Sequence, residues 1–429
     1  MHIESREVVI VGGGPAGAVA GMLLARSGHD VLLLERRSLP RRKACGDCIS
    51  AGTTQLFERL GLLPAIDALR PARLRGWRII APDGSSFTAT FDELSGGARH
   101  RGYALAVPRD RLDTALLNAA AGAGVEIRAG ARVADVACDG SGTTVRLQPD
   151  TGPVHARLVI GADGLRSVVA RATGSVQRSP RLRKLSLSTH AFPPRCTDGL
   201  GEMHLARGAC MGIAPVTAEG DACNVTLVVK SADADVVHRG ARRGAVNGAR
   251  GVPRSLRLDT FVNDWRQRFP LLSSVAPIHP LEGEDWMASG PFDMPVRYVV
   301  HDGIALVGDA AGYFDPFTGQ GIHQAVAGAE LLAGIATAAL RQTGPVRRER
   351  LAAWSAGHAE LTQGMRRLQR MIDAVLAQPA LANAAIRALA RSAVARNALL
   401  GVTGDLRAPA SLLHPRLAIS TLHSLLRAS

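Results

Sequence analysis

An α/β fold with an α+β insert and a helical C-terminal region is predicted for this chain by three observations. The run Val8-Val9-Ile10-Val11 leads at once into Gly12, Gly14 and Gly17 at the head of a helical stretch. A second wholly apolar run, Val31-Leu32-Leu33-Leu34, ends on Glu35. From about residue 181 to 290 the texture changes to strand-like pieces between Pro- and Gly-containing loops, and after 320 it changes again to helix. Uninterrupted apolar runs separated by a helix mark strands buried on both faces of a parallel sheet.

Residues 7–11 form the first strand, 15–27 a helix ending near Gly28, and 31–35 the second strand, which is one βαβ unit. Residues 53–61 and 110–121 are further helices, closed by Gly61 and Gly122. Residues 125–148 alternate as strands do, about the turn Asp139-Gly140-Ser141-Gly142, and 156–162 returns to a buried strand. Asn224–Lys230 is strand-like, whereas 235–255 is polar, rich in Gly and Arg, and reads as a mobile loop. Gly303–Gly308 is another buried strand and 320–341 a long Ala-rich helix. The dinucleotide domain is therefore expected to be discontinuous, over 1–75, 103–180 and 291–340. Residues 76–102 and 181–290 then make an inserted β-sheet substrate domain, and 341–429 a helical region.

The glycines carry the first chemistry. Gly12 permits a tight turn, Gly14 lets the backbone approach a pyrophosphate, and Gly17 lets helix and strand pack closely. The helix opened by Pro15 and Ala16 presents its free amides to the phosphates with about half a positive charge. Glu35, eighteen residues past Gly17, is placed to accept the ribose hydroxyls, with Arg36 beside it. Strand, glycines, helix, strand and terminal acid together specify a Rossmann-like dinucleotide site.

Composition narrows the partners. The formal net charge is +14, and only Lys43, Lys184 and Lys230 are lysines. Residues 341–429 hold thirteen arginines against Glu349, Glu360, Asp373 and Asp405. That makes the C-terminal helices a candidate for peripheral contact with anionic lipid, set against the blander reading of a solvated face. With sixteen aromatic residues and no nucleic-acid motif, nucleic acid is not expected as a partner. Residues 8–25 are uncharged and long enough to span a membrane, but Gly-Gly-Gly-Pro in their middle argues for strand, turn and helix. No signal peptide is read, and the six cysteines make no disulfide framework, so a cytoplasmic protein is expected. No metal site is expected, because beyond Cys45 and Cys48 the cysteines form no second pair at ligand spacing.

Later segments resemble a known superfamily. Gly161-Ala162-Asp163-Gly164 resembles the Asp-Gly motif of the flavoprotein hydroxylases. Ala305-Leu306-Val307-Gly308-Asp309-Ala310-Ala311-Gly312, followed by Pro316, Gly319 and Gly321, resembles their second FAD motif, and Arg109 in Val107–Asp113 their Arg-x-x-Leu-Asp element. The resemblance covers residues 8 to 322 and implies a Rossmann-like FAD-binding domain, with FAD bound extended and reduced by NAD(P)H. It implies cofactor contacts at Arg36, Arg109, Val133, Asp163, Asp309, Pro316, Gly319, Gly321 and Ile322. Asp163 also has an ordinary reading, as the turn after a strand. His323, in the first turn of the following helix, is either a site residue or a surface histidine. No second GxGxxG occurs, so a separate NAD domain is not expected.

Lys43-Ala44-Cys45-Gly46 resembles instead the Lys-x-Cys-Gly signature of the geranylgeranyl reductase branch. That implies Cys45 and Gly46 beside FAD, with Cys45 at the reacting centre, and Gly312 suits the same branch. Against it, Cys210–Pro215 lacks that branch's aromatics, and Gln320 between glycines resembles the hydroxylases. Three functions follow. The leading expectation is an NAD(P)H-dependent monooxygenase acting on an aromatic or other apolar small molecule. The second is saturation of isoprenoid or polyene double bonds. The third is a dithiol flavoprotein using Cys45 and Cys48; a non-enzymatic FAD carrier stands outside all three.

Overall fold

The structure is a computed structural model that describes residues 4–94, 102–149, 152–177, 184–194, 197–230, 232–233 and 254–413. The stretch read as a mobile loop, 235–255, falls outside the described residues up to 253, and its last two residues begin a helix, Arg254–Arg266.

Two-sided burial of the apolar runs builds the first sheet. Among the described residues its central strands run in the order Ile304–Leu306, Val154–Gly161, Glu4–Val11, Val31–Glu35, Glu126–Ala129, all parallel to their neighbours. Val8, Val9, Ile10, Leu32, Leu33, Val159 and Ile160 are fully buried, which is why these strands show no alternation. A hairpin of Arg132–Cys138 and Thr143–Gln148 hangs antiparallel from Val154–Gly161. Helix Pro15–Arg26 packs between Arg109–Gly122 and Gly321–Leu340. By length and apolarity Gly321–Leu340 could cross a membrane, but half of its apolar window is buried in the protein. Residues 8–25 divide into strand, turn and helix, as the glycines predicted.

The second sheet joins two separated parts of the chain. Its order among the described residues is Met287–Ser289, Lys184–Ala191, Cys223–Lys230, Ala209–Pro215, Leu200–Ala206, Gly76–Ile80, Ser86–Thr90. One face packs Met211, Val225, Leu227 and Val229 against Leu258, Val262 and Trp265 of helix Arg254–Arg266. Strand periodicity puts Cys210, Gly212, Asn224, Thr226 and Val228 on the other face. Three helices, Ala352–Leu376, Pro379–Arg391 and Ala393–Thr403, roof that face, with Ile386 and Leu400 joining Phe87, Ala89 and Phe91 in one cluster.

As far as residue 413 the C-terminal region is helical, divided into several helices. It turns at Pro379, the first residue of a new helix, and again at Ser392, whose hydroxyl accepts from Ala395 N. A small sheet of Cys48–Ile49, Ala104–Ala106 and Ala72–Leu74 has strands too short for alternation to reveal.

Candidate functional site

The glycine turn is fixed by contact, not only by preference. Gly12 sits at φ +108°, and a Cβ on it would lie 2.5 Å from the Ala162 carbonyl oxygen. A Cβ on Gly17 would lie 1.9 Å from the Gly12 oxygen. At Gly14 the space is open, the nearest atom being Arg41 Nη2 at 3.7 Å. Among the described residues no side chain caps the helix starting at Pro15, so its first amides face outward. Glu35 is 5% exposed and binds this turn: Oε2 accepts from Gly13 N at 2.9 Å and Oε1 from Arg37 N at 3.0 Å. Glu35 and Arg36 line a groove of about 680 Å³ together with Gly12, Gly14, Asp163 and Asp309.

Arg41, which sequence reading passed over, lies between two carboxylates. Its Nε is 3.2 Å from Glu35 Oε2 and its Nη2 3.2 Å from Asp113 Oδ2. Asp113 also accepts from Arg109 Nε and Nη2, at 2.9 and 3.0 Å. Arg109 is buried and reaches the Cys45 thiol; burial alone would lower its pKa, but the Asp113 carboxylate holds it above the ordinary value. The charges of Arg41 and Arg109 are thus tied into the wall between groove and chamber.

Asp163 makes the turn after its strand, as its ordinary reading had it. Its Oδ2 accepts from Val168 N at 2.6 Å and so starts a short helix, while Oδ1 is buried without a hydrogen-bond partner among the described residues. Burial pushes its pKa up. Asp309 follows the strand Ile304–Leu306 in a 3-10 turn, with Lys43 Nζ 3.7 Å from its Oδ2. Gly308, at φ +62°, has Ala16 Cβ 3.0 Å from where its own Cβ would be, so the two glycine-rich segments abut.

Pro316, Gly319, Gly321 and Ile322 line the chamber at the uncapped start of helix Gly321–Leu340, as do Pro15, Ala16, Cys45 and Gly46. Val133, by contrast, lies in the core of the hairpin and is not among the residues lining groove or chamber. Gln320 turns away, giving Nε2 to Asp405 Oδ1 at 2.6 Å. His323 pairs with Thr53 Oγ1 at 3.1 Å and joins helix Ala51–Arg59 to the same corner, so it packs rather than lines.

The Cys45 loop is gripped by the second sheet. Ser188 Oγ accepts from Cys45 N at 3.1 Å, and Cys45 O accepts from Asn224 Nδ2 at 2.8 Å and Thr226 Oγ1 at 3.4 Å. Asp47, buried at φ +57°, takes Asn224 Nδ2 and His190 Nε2, each at 2.7 Å. Burial pushes both the Cys45 and Cys48 thiols up. Reactive dithiols need the opposite shift, so this environment suits a protonated Cys45 and a structural Cys48. Among the described residues no group of three His, Cys, Asp or Glu side chains could hold a metal ion.

From this loop a chamber of about 820 Å³ extends between the second sheet and the C-terminal helices. Its floor is thinned by small residues. Trp77 lies across Gly201, where a Cβ would be 2.4 Å from the ring, and Met203 leans over Gly212. Its roof is aliphatic, with Leu368, Ile372, Val375, Leu376, Ile386 and Leu389.

Residues 5–230 match the family described as FAD binding domain. Over 342 residues the chain is 31% identical to digeranylgeranylglycerophospholipid reductase 1 of Methanopyrus kandleri, covering 78% of this chain and 81% of that one. The chain belongs to the FAD-dependent oxidoreductases of the flavoprotein hydroxylase superfamily, together with the digeranylgeranylglycerophospholipid reductases. A menaquinone reductase of Mycolicibacterium smegmatis is 32% identical over 200 residues, which is 46% of this chain and 47% of that protein, so the match spans about half that relative's length. A geranylgeranyl bacteriochlorophyll reductase-like structure from Thermoplasma acidophilum shares the fold, with TM-score 0.74 and 18% identity, covering 99% of this chain and 100% of that one.

The residues present fit FAD. Open space at Gly14, the outward amides after it and the unpartnered Asp163 oxygen suit a diphosphate and its sugars. The uncapped start of Gly321–Leu340 suits the electron-rich edge of a flavin.

Proposed function

We propose that this oxidoreductase saturates carbon–carbon double bonds in the isoprenoid chain of a lipid. The carrying observation is the large apolar chamber, roofed by aliphatic side chains, that begins at the flavin end of the site. An aromatic hydroxylation substrate would need polar groups to orient its ring, and the roof offers almost none. Gln320, the sequence's main pointer to hydroxylation, serves the helical roof instead. The archaeal phospholipid reductases aligned over most of the chain support the same order of preference.

Reduced FAD, regenerated by NAD(P)H, supplies the hydride in this reading. The chain's own residues do the rest. The chamber excludes water and lays an alkene along the sheet. The helix amides at Gly321 and Ile322 would hold a bound flavin and favour negative charge on it. Burial keeps the Cys45 Sγ protonated at the chamber wall, where it holds the proton that must accompany the hydride. Chemically reduced enzyme mixed anaerobically with a geranylgeranyl phospholipid tests this. Flavin reoxidation with gain of hydrogen in the product is expected. Reoxidation only with oxygen, with labelled oxygen in the product, would establish hydroxylation instead.

A further inference from the structure

We infer that the C-terminal helices form a docking face for an anionic phospholipid bilayer, and that the chamber opens through this face. Three of the large hydrophobic side chains exposed on the described residues lie close together in the chain: Met371 at 56%, Leu381 at 54% and Val394 at 49%. They stand on three consecutive helices, and Pro379–Arg391 packs against both of the others. Met371 lines the chamber while more than half exposed, which places an opening at this residue. Leu381 is one turn ahead of Ala385, and Val394 adjoins Ala395; both alanines line the chamber. The exposed apolar side chains therefore border the mouth.

The helices themselves carry charge of mostly one sign, although the exposed Asp92 and Glu93 adjoin Ala393–Thr403. Between residues 361 and 403 there are six arginines and one acidic residue, Asp373, which is taken by Lys184. Arg387 is taken by Asp83, whereas Arg367, Arg370 and Arg391 stand exposed. Apolar side chains set among exposed arginines are the pattern of a helix face that lies in a lipid interface. Opening the mouth onto a bilayer would let an isoprenoid chain slide from lipid into the chamber without crossing water. A protein partner would explain the charges but not an apolar tunnel ending among them. The direction of entry rests on the lipid-reductase reading; the docking does not.

The full-length, FAD-loaded chain should be sedimented with vesicles of phosphatidylcholine, with and without phosphatidylglycerol, at low and high salt. Binding should require phosphatidylglycerol and weaken with salt. Leu381→Glu with Val394→Glu should weaken it by about a hundredfold, since each buried aliphatic side chain is worth roughly tenfold or more. The thermal midpoint and turnover on a detergent-dispersed isoprenoid should stay at the wild-type level while turnover on vesicle-embedded substrate falls. Wild-type protein that ignores all vesicles, binds neutral and anionic ones alike, or binds equally with both substitutions would overturn the proposal. So would a concentration-dependent dimer abolished by the same substitutions. Vesicle binding without any isoprenoid reduction would support the docking face and sink the lipid-reductase reading alone.

Discussion

Alanine at Gly14 and alanine at Gly17 should do different things, although the two residues are three apart in one motif. At Gly17 the new Cβ would lie 1.9 Å from the Gly12 carbonyl oxygen and 3.3 Å from Ala162 Cβ. Favourable non-bonded contact begins at about 3.5 Å. The intruding atom therefore has to move by more than about 1.5 Å, and its neighbour is backbone that cannot rotate aside. Overpacking of this kind costs about 1–3 kcal/mol or more. For a chain of this size that lowers the thermal midpoint by roughly 1 °C per kcal/mol. At Gly14 the backbone, φ −81° and ψ −177°, already suits alanine, and the Cβ meets nothing nearer than 3.7 Å. That space is where a pyrophosphate would lie. Gly14→Ala should leave the midpoint of FAD-free protein unchanged and weaken FAD binding at least tenfold, whereas Gly17→Ala should lower both. Thermal unfolding of the apoprotein and flavin titration by fluorescence separate them. A Gly14→Ala protein that retains FAD as wild type does would refute the assignment of this turn to the diphosphate.

Other substitutions test the remaining parts. Asp309→Ala removes a charged acceptor worth about 1.5–3 kcal/mol, and the purified protein should lose most of its yellow colour; a full flavin complement would reassign the carboxylate. Cys45→Ser should cut turnover several-fold with flavin content unchanged, and a wild-type rate would leave only the backbone of Cys45 in use. Gly201→Val should drive the Trp77 ring into the chamber and raise KM for long isoprenoids while flavin affinity stays constant. Burial raises the pKa of Asp405 above its unfolded value, so folded protein prefers it protonated. Its contribution is complete below about pH 4, the unfolded carboxyl pKa, and is lost as pH rises through the folded one. Asp405→Asn should therefore raise the urea midpoint at pH 7 and leave it unchanged near pH 4; a gain confined to low pH would reverse the sign.

The first sheet was legible because burial on both faces leaves uninterrupted runs such as Val8–Val11 and Leu32–Leu34. The glycine turn was legible because its geometry excludes every other residue at Gly12 and Gly17. The grip on Cys45 was not. Ser188, Asn224 and Thr226 are separated from it by 143, 179 and 181 positions, and only the register of two strands brings them together. Arg41 was missed because one arginine in Arg41-Arg42-Lys43 looks like another until two carboxylates converge on it. Gln320 could not be placed for a related reason: its neighbours belong to a motif, but its side chain points to Asp405, from a different part of the chain. The preference between hydroxylation and reduction moved on the shape of the chamber, whose walls come from stretches that sequence order keeps apart.

The bonds holding Cys45 also constrain how such proteins can be recombined. Donors and acceptors are split between residues 45–47, which follow the first βαβ unit, and residues 188–226 of the second sheet. A chimera that takes its second sheet from a relative but keeps its own loop would bury the Cys45 carbonyl and the Asp47 carboxylate without their partners. Each such orphan costs about 1–3 kcal/mol, and more for a charged group. The loop and the sheet are thus one heritable unit, and a change of substrate range has to pass through both together or be confined to the helical roof.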